Sequence, residues 1–301
     1  MADSLRLDLH GRYLKPVADT CSHPDDSFPT PAGHRRITGI LRDLPDHLIL
    51  GAQKSGTTQL DARLGTNPGI GDRTTKETRH LVQPHPRRIA YRQFFDLTYR
   101  RKRRERRLGH RIRNGDATPY YLFHPHVPRR AASMLPDVQC IVLLRDPALR
   151  AWSHYRHEVR LGHEKLDFAD AINSEDQRTT AETRRLAEDP SATSMAHCHF
   201  SYVARGRYAE QLERWFQHVP RNRFLILFAE HFFEDEESIL RQVEDFLGLP
   251  RTPPAESAVI RNRGDETPPD PEVIRKIRTE LQSSNERLAD LLDMNPPWPS
   301  A

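Results

Sequence analysis

The sequence predicts a three-layer α/β fold of the P-loop type, with a central parallel sheet flanked by helices. Three observations predict it. A short apolar strand, His47 to Leu50, runs straight into a glycine-bearing loop and then a helix-forming segment. Two further runs, Val138 to Leu144 and Phe224 to Phe228, are apolar without alternation, as strands buried on both faces are. Helix-forming segments separate the runs, and strands alternating with helices close as a parallel sheet.

The elements follow in order. Residues 1–44 read as an irregular lead-in, because Pro24, Pro29, Pro31 and Gly33 interrupt any period. Residues 45–301 read as one domain, a size that a chain of 301 residues supports. Residues 84–113 are dominated by Arg, Lys and His, with the run Arg100 to Arg107 at their centre; such runs are usually solvated faces or loops. A helix is expected from Pro125 to Met134. The strand ending at Leu144 meets Arg145-Asp146-Pro147, and a helix starts at Pro147, where proline suits the first turn, and continues to Leu161. Residues 164–200 are polar and read as a short helix with a mobile loop. Residues 203–218 space Tyr208, Leu212, Trp215 and Phe216 along one helical face. Glu237 to Leu247 is an amphipathic helix stopped by Gly248 and Pro250. Residues 251–271 read as a loop, and Pro271 to Leu292 as the last helix.

Composition narrows the function. Lys and Arg number 46 against 42 Asp and Glu, a net charge of +4 that does not mark a nucleic-acid binder and suits a protein handling anionic small molecules. Cys21, Cys140 and Cys198 lie far apart with no CxxC pair, so no disulfide framework is expected and a reducing, cytoplasmic setting is the default. No run of 18 apolar residues marks a membrane span, and residues 1–16 lack the apolar core of a signal peptide. His80, His85, His124, His126, His197 and His199 show no convincing metal spacing, His197-Cys198-His199 being the most suggestive, so no metal is expected.

The strongest local signal is Gly51-Ala52-Gln53-Lys54-Ser55-Gly56-Thr57-Thr58. A loop entering a helix N-terminus aims backbone N–H groups outward, and the helix dipole adds positive character there. Gly51 and Gly56 let the backbone approach an anion, Lys54 adds a full charge, and Thr57 and Thr58 add hydroxyls. In the Walker pattern Lys follows the second Gly and precedes Ser or Thr. Here Lys54 precedes Gly56, which weakens a kinase or other nucleoside-triphosphate reading, the main rival. The second signal is Arg145 through Ser153. Arg145 follows a buried strand at the carboxyl edge of the sheet, where ligands of open α/β sheets bind, and Ser153 lies on the next helix. Arg and Ser together suit one phosphate.

These two segments resemble the paired nucleotide-binding motifs of sulfotransferases that use 3′-phosphoadenosine-5′-phosphosulfate (PAPS), closest to the bacterial and heparan-sulfate-type branch. The resemblance runs from about residue 46 to 292. It includes Gly115-Asp116-Ala117-Thr118-Pro119-Tyr120-Tyr121, Arg205-Gly206-Arg207-Tyr208 and Asp245-Phe246-Leu247-Gly248-Leu249-Pro250. It implies that Lys54, Ser55, Gly56, Thr57 and Thr58 hold the 5′-phosphosulfate and that Arg145 and Ser153 hold the 3′-phosphate. Arg263 and Gly264, with Arg261, are the candidates for a further basic loop. Tyr202 or Tyr208 is expected near the adenine, with helix core the favoured reading of Tyr208. The product would be 3′,5′-adenosine bisphosphate (PAP), and no metal is required.

Transfer needs a base for the acceptor proton and cations for charge on the leaving oxygen, a role that suits Lys54. Heparan-sulfate-type relatives carry a Lys-Glu pair where this chain has Lys76-Glu77, and the Glu acts as base, so Glu77 is the first choice. His80 is the second, because imidazole titrates near neutrality. The chain departs from the pattern at Asp116-Ala117-Thr118-Pro119, where relatives often read Glu-Lys-Thr-Pro. Either another cation such as Lys76 takes the place of that lysine or the acceptor pocket differs. The acceptor is expected to be a carbohydrate or a small metabolite, bound through a hydroxyl or amine. The basic run offers a site for an acidic acceptor. Oligomeric state is not legible.

Overall fold

Strand β1 (His47–Gly51) is buried at every position because it lies in the middle of a sheet with helices on both sides. The computed structural model describes residues 6–7, 13–14, 28–252 and 268–299. The other sheet strands are β2 (Gly115–Ala117), β3 (Gln139–Leu144) and β4 (Phe224–Phe228), and the spatial order is β2-β1-β3-β4. All pairings are parallel: Leu48 stands opposite Asp116 and Cys140, and Cys140 opposite Phe224. Parallel strands put every following loop at one edge, so the segments after Gly51, Ala117, Leu144 and Phe228 gather there.

The main helices are α1 (Thr57–Leu64), α2 (Thr98–Leu108), α3 (Val127–Met134), α4 (Pro147–Leu161), α5 (Glu175–Glu188), α6 (Met195–His199), α7 (Tyr208–Phe216), α8 (Glu236–Leu247) and α9 (Pro271–Leu292). Alternate strand residues face opposite ways, which divides the core. On one face Leu48, Leu50, Val142 and Leu144 pack with Val127 of α3, Leu212 and Trp215 of α7 and Leu288 of α9. On the other, Ile49, Ile141 and Leu143 pack with Leu60 and Leu64 of α1 and Ile239 and Val243 of α8. A third cluster joins Ala148 and Ala151 of α4 to Tyr202 and to Ile274, Ile277 and Leu281 of α9. Burial of each large aliphatic side chain contributes roughly 1.5–3 kcal/mol.

Three segments differ from the sequence expectation. Residues 164–200 are mostly helical, with Phe168–Asn173, α5 and α6, and the caps are Asp167, which accepts from the Asp170 amide, and Ser194, which accepts from the His197 amide. The expected helix over 203–218 begins as a short turn, Ala204–Gly206, before α7. The basic run is not a loop but α2. It buries no residue, lacks a side-chain N-cap and has no acid in its first turn. Its inner side is held by charge: Arg101 pairs with Asp43 at 3.1 Å and Asp46 at 2.9 Å, and Arg104 donates to the Pro68 carbonyl at 3.0 Å. On the outer side Arg100, Lys102, Arg103, Arg106 and Arg107 are exposed. Arg100 and Arg103, Lys102 and Arg106, and Arg103 and both Arg106 and Arg107 stand three or four residues apart, and each such pair costs about 0.2–0.5 kcal/mol.

Cys140 is a free, buried thiol, and burial pushes its pKa above the usual range. Among the described residues no helix is long and apolar enough to cross a membrane.

Candidate active site

The loop after β1 is shaped by two left-handed residues, Lys54 at φ 68° and Gly56 at φ 89°. Gly56 is the N-cap of α1 and offers no side chain to its N–H groups, which leaves that helix end to an outside acceptor. A Cβ on Gly56 would come within 3.0 Å of the Phe233 ring, and one on Gly51 within 2.8 Å of the Pro119 carbonyl. Both glycines therefore answer to space as well as to backbone conformation. The Ser55 hydroxyl is fully buried in this loop and has no hydrogen-bond partner among the described residues. An uncapped helix start and an orphaned buried hydroxyl fit an anionic ligand.

Arg145, just past β3, donates from Nη1 to the Lys54 carbonyl at 2.9 Å. The two motifs, 91 residues apart in the chain, thus meet at one sheet edge. Burial lowers the Arg145 pKa, against Glu230, Tyr208 and Asp146, which act to raise it. Asp146 caps α4 by accepting from the Ala148 and Leu149 amides at 2.9 and 3.2 Å, and also accepts from Arg278 of α9 at 2.7 Å. Its own amide donates to Glu230 at 2.9 Å, and Glu230 accepts from the Trp298 indole at 3.0 Å. Ser153 lies half-buried on α4.

Lys76 closes the other side of the loop. Its ammonium donates to the Thr58 hydroxyl at 2.6 Å and to Glu77 Oε1 at 3.0 Å. Lys76 and Glu77 are mostly buried, with side chains 11% and 13% exposed. The segment carrying them is fastened from below by Asp116 on β2. This fully buried carboxylate accepts from Thr78 Oγ1 at 2.5 Å, Tyr91 at 2.6 Å, Tyr121 at 2.8 Å and Thr118 at 2.9 Å. Burial and Asp116 push the Tyr91 phenol well above its ordinary pKa, so it stays a donor.

His80 borders this network through its backbone, its amide donating to Thr78 Oγ1 at 3.2 Å. It is buried, stacks on Tyr91 with centroids 4.7 Å apart, and its Nε2 donates to the Arg87 carbonyl at 3.0 Å. Burial pulls its pKa down to about 4. Tyr202 is fully buried with its hydroxyl on Glu164 at 2.8 Å, so it presents no face to a ligand. Tyr208 is core, as favoured, and its hydroxyl donates to the Arg145 carbonyl at 2.9 Å. Arg261, Arg263 and Gly264 lie outside the described residues.

Sequence reasoning gave Arg205 no role. Its guanidinium donates to the Gln53 side chain and, at 2.6 Å, to the Cys198 carbonyl, and it lies 4.9 Å from the Tyr120 ring centroid. Burial lowers its pKa to about 10, so it is a charged strut behind the loop that follows β1 at neutral pH. The stretch Arg205-Gly206-Arg207-Tyr208 was its only signal. Glu158 of α4 is likewise buried and accepts from His163 Nδ1 at 2.9 Å and His199 Nδ1 at 2.8 Å. The ligand-capable atoms of Glu158, His163 and His199 lie within 4.8 Å of one another, a grouping that could hold a metal ion.

The sulfotransferase domain model matches residues 44–286. The chain belongs to the sulfotransferase domain family. It is an enzyme of that type, with sulfuryl transfer as its reaction. Among its relatives, the membrane-associated sulfotransferase kil1 of Dictyostelium discoideum is 24% identical over 87% of this chain and 68% of its own length. Mouse heparan sulfate glucosamine 3-O-sulfotransferase 3B1 is 28% identical over 78% of this chain, which spans 52% of that relative. The bifunctional heparan sulfate N-deacetylase/N-sulfotransferase 1 of Caenorhabditis elegans is 26% identical over 72% of this chain and 24% of its own. A solved sulfotransferase from Alicyclobacillus acidocaldarius shares the fold, with TM-score 0.61 and 24% identity over 84% of this chain and 98% of that one.

Proposed function

We propose that this sulfotransferase takes its sulfuryl group from PAPS and passes it to a hydroxyl or amine of a glycan or small metabolite, with Glu77 as base. The observation that carries this reading is the Lys76 ammonium, which joins Thr58 of the phosphate loop to Glu77. It supports the reading by holding a carboxylate next to the loop that follows β1. It also supplies a cation near the place where relatives often carry a lysine and this chain has Ala117.

The acceptor oxygen or nitrogen attacks sulfur as the bond from sulfur to the phosphate oxygen breaks. Glu77 takes the acceptor proton, and the electron pair of the broken bond stays on PAP. Lys54 and the start of α1 meet the charge that grows on the leaving oxygen, where fixed dipoles are most effective. Arg145 and Ser153 hold the 3′-phosphate. His80, whose pKa burial holds at about 4, has no part in this scheme. A glycan acceptor is supported by the heparan sulfate sulfotransferases among the relatives.

The test is calorimetry and a radiolabelled transfer assay on one preparation. PAP should bind without magnesium and ATP weakly, and labelled sulfate should pass from PAPS to members of an acceptor panel. Tight magnesium-dependent ATP binding with no affinity for PAP would overturn the reading in favour of a P-loop kinase or other nucleoside-triphosphate enzyme.

A further inference from the structure

We propose that the outer face of α2 is a docking ridge for a sulfated polysaccharide, at the sheet edge opposite the phosphate loop. Its position follows from its anchors. Arg101 and Arg111 both pair at 2.9 Å with Asp46, the residue that enters β1, whereas the phosphate loop leaves the other end of that strand. Five strand residues separate the two ends by about 16 Å.

The helix sorts its charges by side. At 100° per residue, Arg100, Lys102, Arg103, Arg106 and Arg107 fall on one stripe of about 160°, and all five are exposed. Arg101, Arg104 and Glu105 fall on the opposite side, where Arg101 and Arg104 bind the body of the domain and Glu105 accepts from the Ile112 amide. The stripe advances about 10 Å, and Arg111, with its side chain 59% exposed, extends it past the helix end. Beside it lies a cleft of mixed charge, lined by Arg88, Arg111 and Arg113 but also by Asp43, Asp46 and Asp137.

Among the described residues nothing explains this stripe. It contributes no core, it sets like charges side by side, and its first turn carries arginine where the helix dipole favours acid. A segment that works against its own fold at several levels marks a function. A linear polyanion removes the conflict, because its oxoanions neutralise the repulsion, and arginine grips them in bidentate fashion. A lipid surface fits less well, since the stripe has no apolar face to insert; Tyr99 and Leu108 stand at its two ends. Single-stranded nucleic acid fits less well too, because the stripe offers cations for phosphate but no row of aromatics to stack bases; duplex DNA is separated by the experiment below. The choice of a polysaccharide rests on the glycan-acceptor reading. The ridge would hold a chain that the active site sulfates elsewhere along its length.

The experiment compares the intact protein with a variant carrying Arg100→Gln, Lys102→Gln, Arg103→Gln, Arg106→Gln and Arg107→Gln. The probes are a size-defined heparin oligosaccharide, duplex DNA and phosphatidylserine vesicles. The intact protein should bind heparin with a steep salt dependence, and the variant should lose roughly tenfold or more at moderate salt. PAP binding should be unchanged, and the variant should melt no lower than the parent, so misfolding is read separately. Equal heparin affinity in both proteins would overturn the ridge. Tighter binding of DNA or vesicles than of heparin would overturn the choice of partner. Ridge-dependent heparin binding without sulfate transfer to any glycan would leave the ridge standing and sink the glycan-acceptor reading.

Discussion

The Arg145 guanidinium donates to the carbonyl oxygen of Lys54 at 2.9 Å. One residue follows β3 and the other bends the loop after β1, so the contact ties together the two segments proposed to bind the nucleotide. Arg145→Ala removes both a ligand charge and this tie. PAP affinity should fall about 10- to 100-fold, the usual range for a charged hydrogen bond. Lys54→Ala should weaken the same nucleotide while leaving the loop anchored. Isothermal titration with PAP measures both, and unchanged affinity in either variant would count against the assigned phosphate sites.

Glu77→Gln keeps the shape of the site and removes the base. Turnover should drop about 100- to 10,000-fold with little change in PAP affinity. His80→Phe should retain most of the activity, because His80 stacks on Tyr91 in the core and its Nε2 serves the Arg87 carbonyl. Single-turnover transfer assays separate the two; a larger loss in the histidine variant would reverse the assignment.

Asp116→Ala strips the acceptor from Thr78, Thr118, Tyr91 and Tyr121 at once. Buried donors left without a partner cost the full desolvation of each group, so the variant should lose on the order of 3–5 kcal/mol. Chemical denaturation reads that loss. Because the same network holds the Lys76-Glu77 segment, activity in the folded fraction should also fall.

Stability should decline from pH 7 to pH 5. Burial lowers His80 to about 4, and it lowers His47 and His197 to about 3, with nearby arginines helping in both. Between those values and the ordinary 6.5 the unfolded chain binds protons that the folded one does not, so stability falls as pH falls. Each such histidine contributes about 2 kcal/mol by pH 5. Glu175 works the other way. Burial raises it to about 7 against amide bonds from Val203 and Ala204, so acidification restores some stability there. The histidines outnumber it, and the melting temperature should drop across this range. A rise would contradict the sign.

What the sequence made legible was whatever buried apolar runs and chain punctuation encode. β1, β3 and β4 read directly because each is a continuous apolar stretch ending at Gly51, Arg145 or a helix start. β2 was invisible as a strand: Gly-Asp-Ala has no apolar run, and it is a strand because it stands in register with His47 to Ile49. α2 was read as a solvated run because it lacks the apolar stripe that helical periodicity looks for. Its helix is fixed by Asp43 and Asp46, more than 50 residues upstream. In the site, the Lys76-Glu77 pair and the two anion segments were legible as motifs. The burial of Tyr202 and the strut formed by Arg205 were not, because both depend on which distant segments pack around them.

Lys54 holds a backbone shape, φ 68°, that glycine adopts at less cost. Selection for thermal endurance alone would thus drift toward glycine at this position and erase the ammonium that the proposed transfer uses. A stabilisation campaign on this enzyme should treat residue 54 as fixed and seek its gains on surfaces remote from the loop.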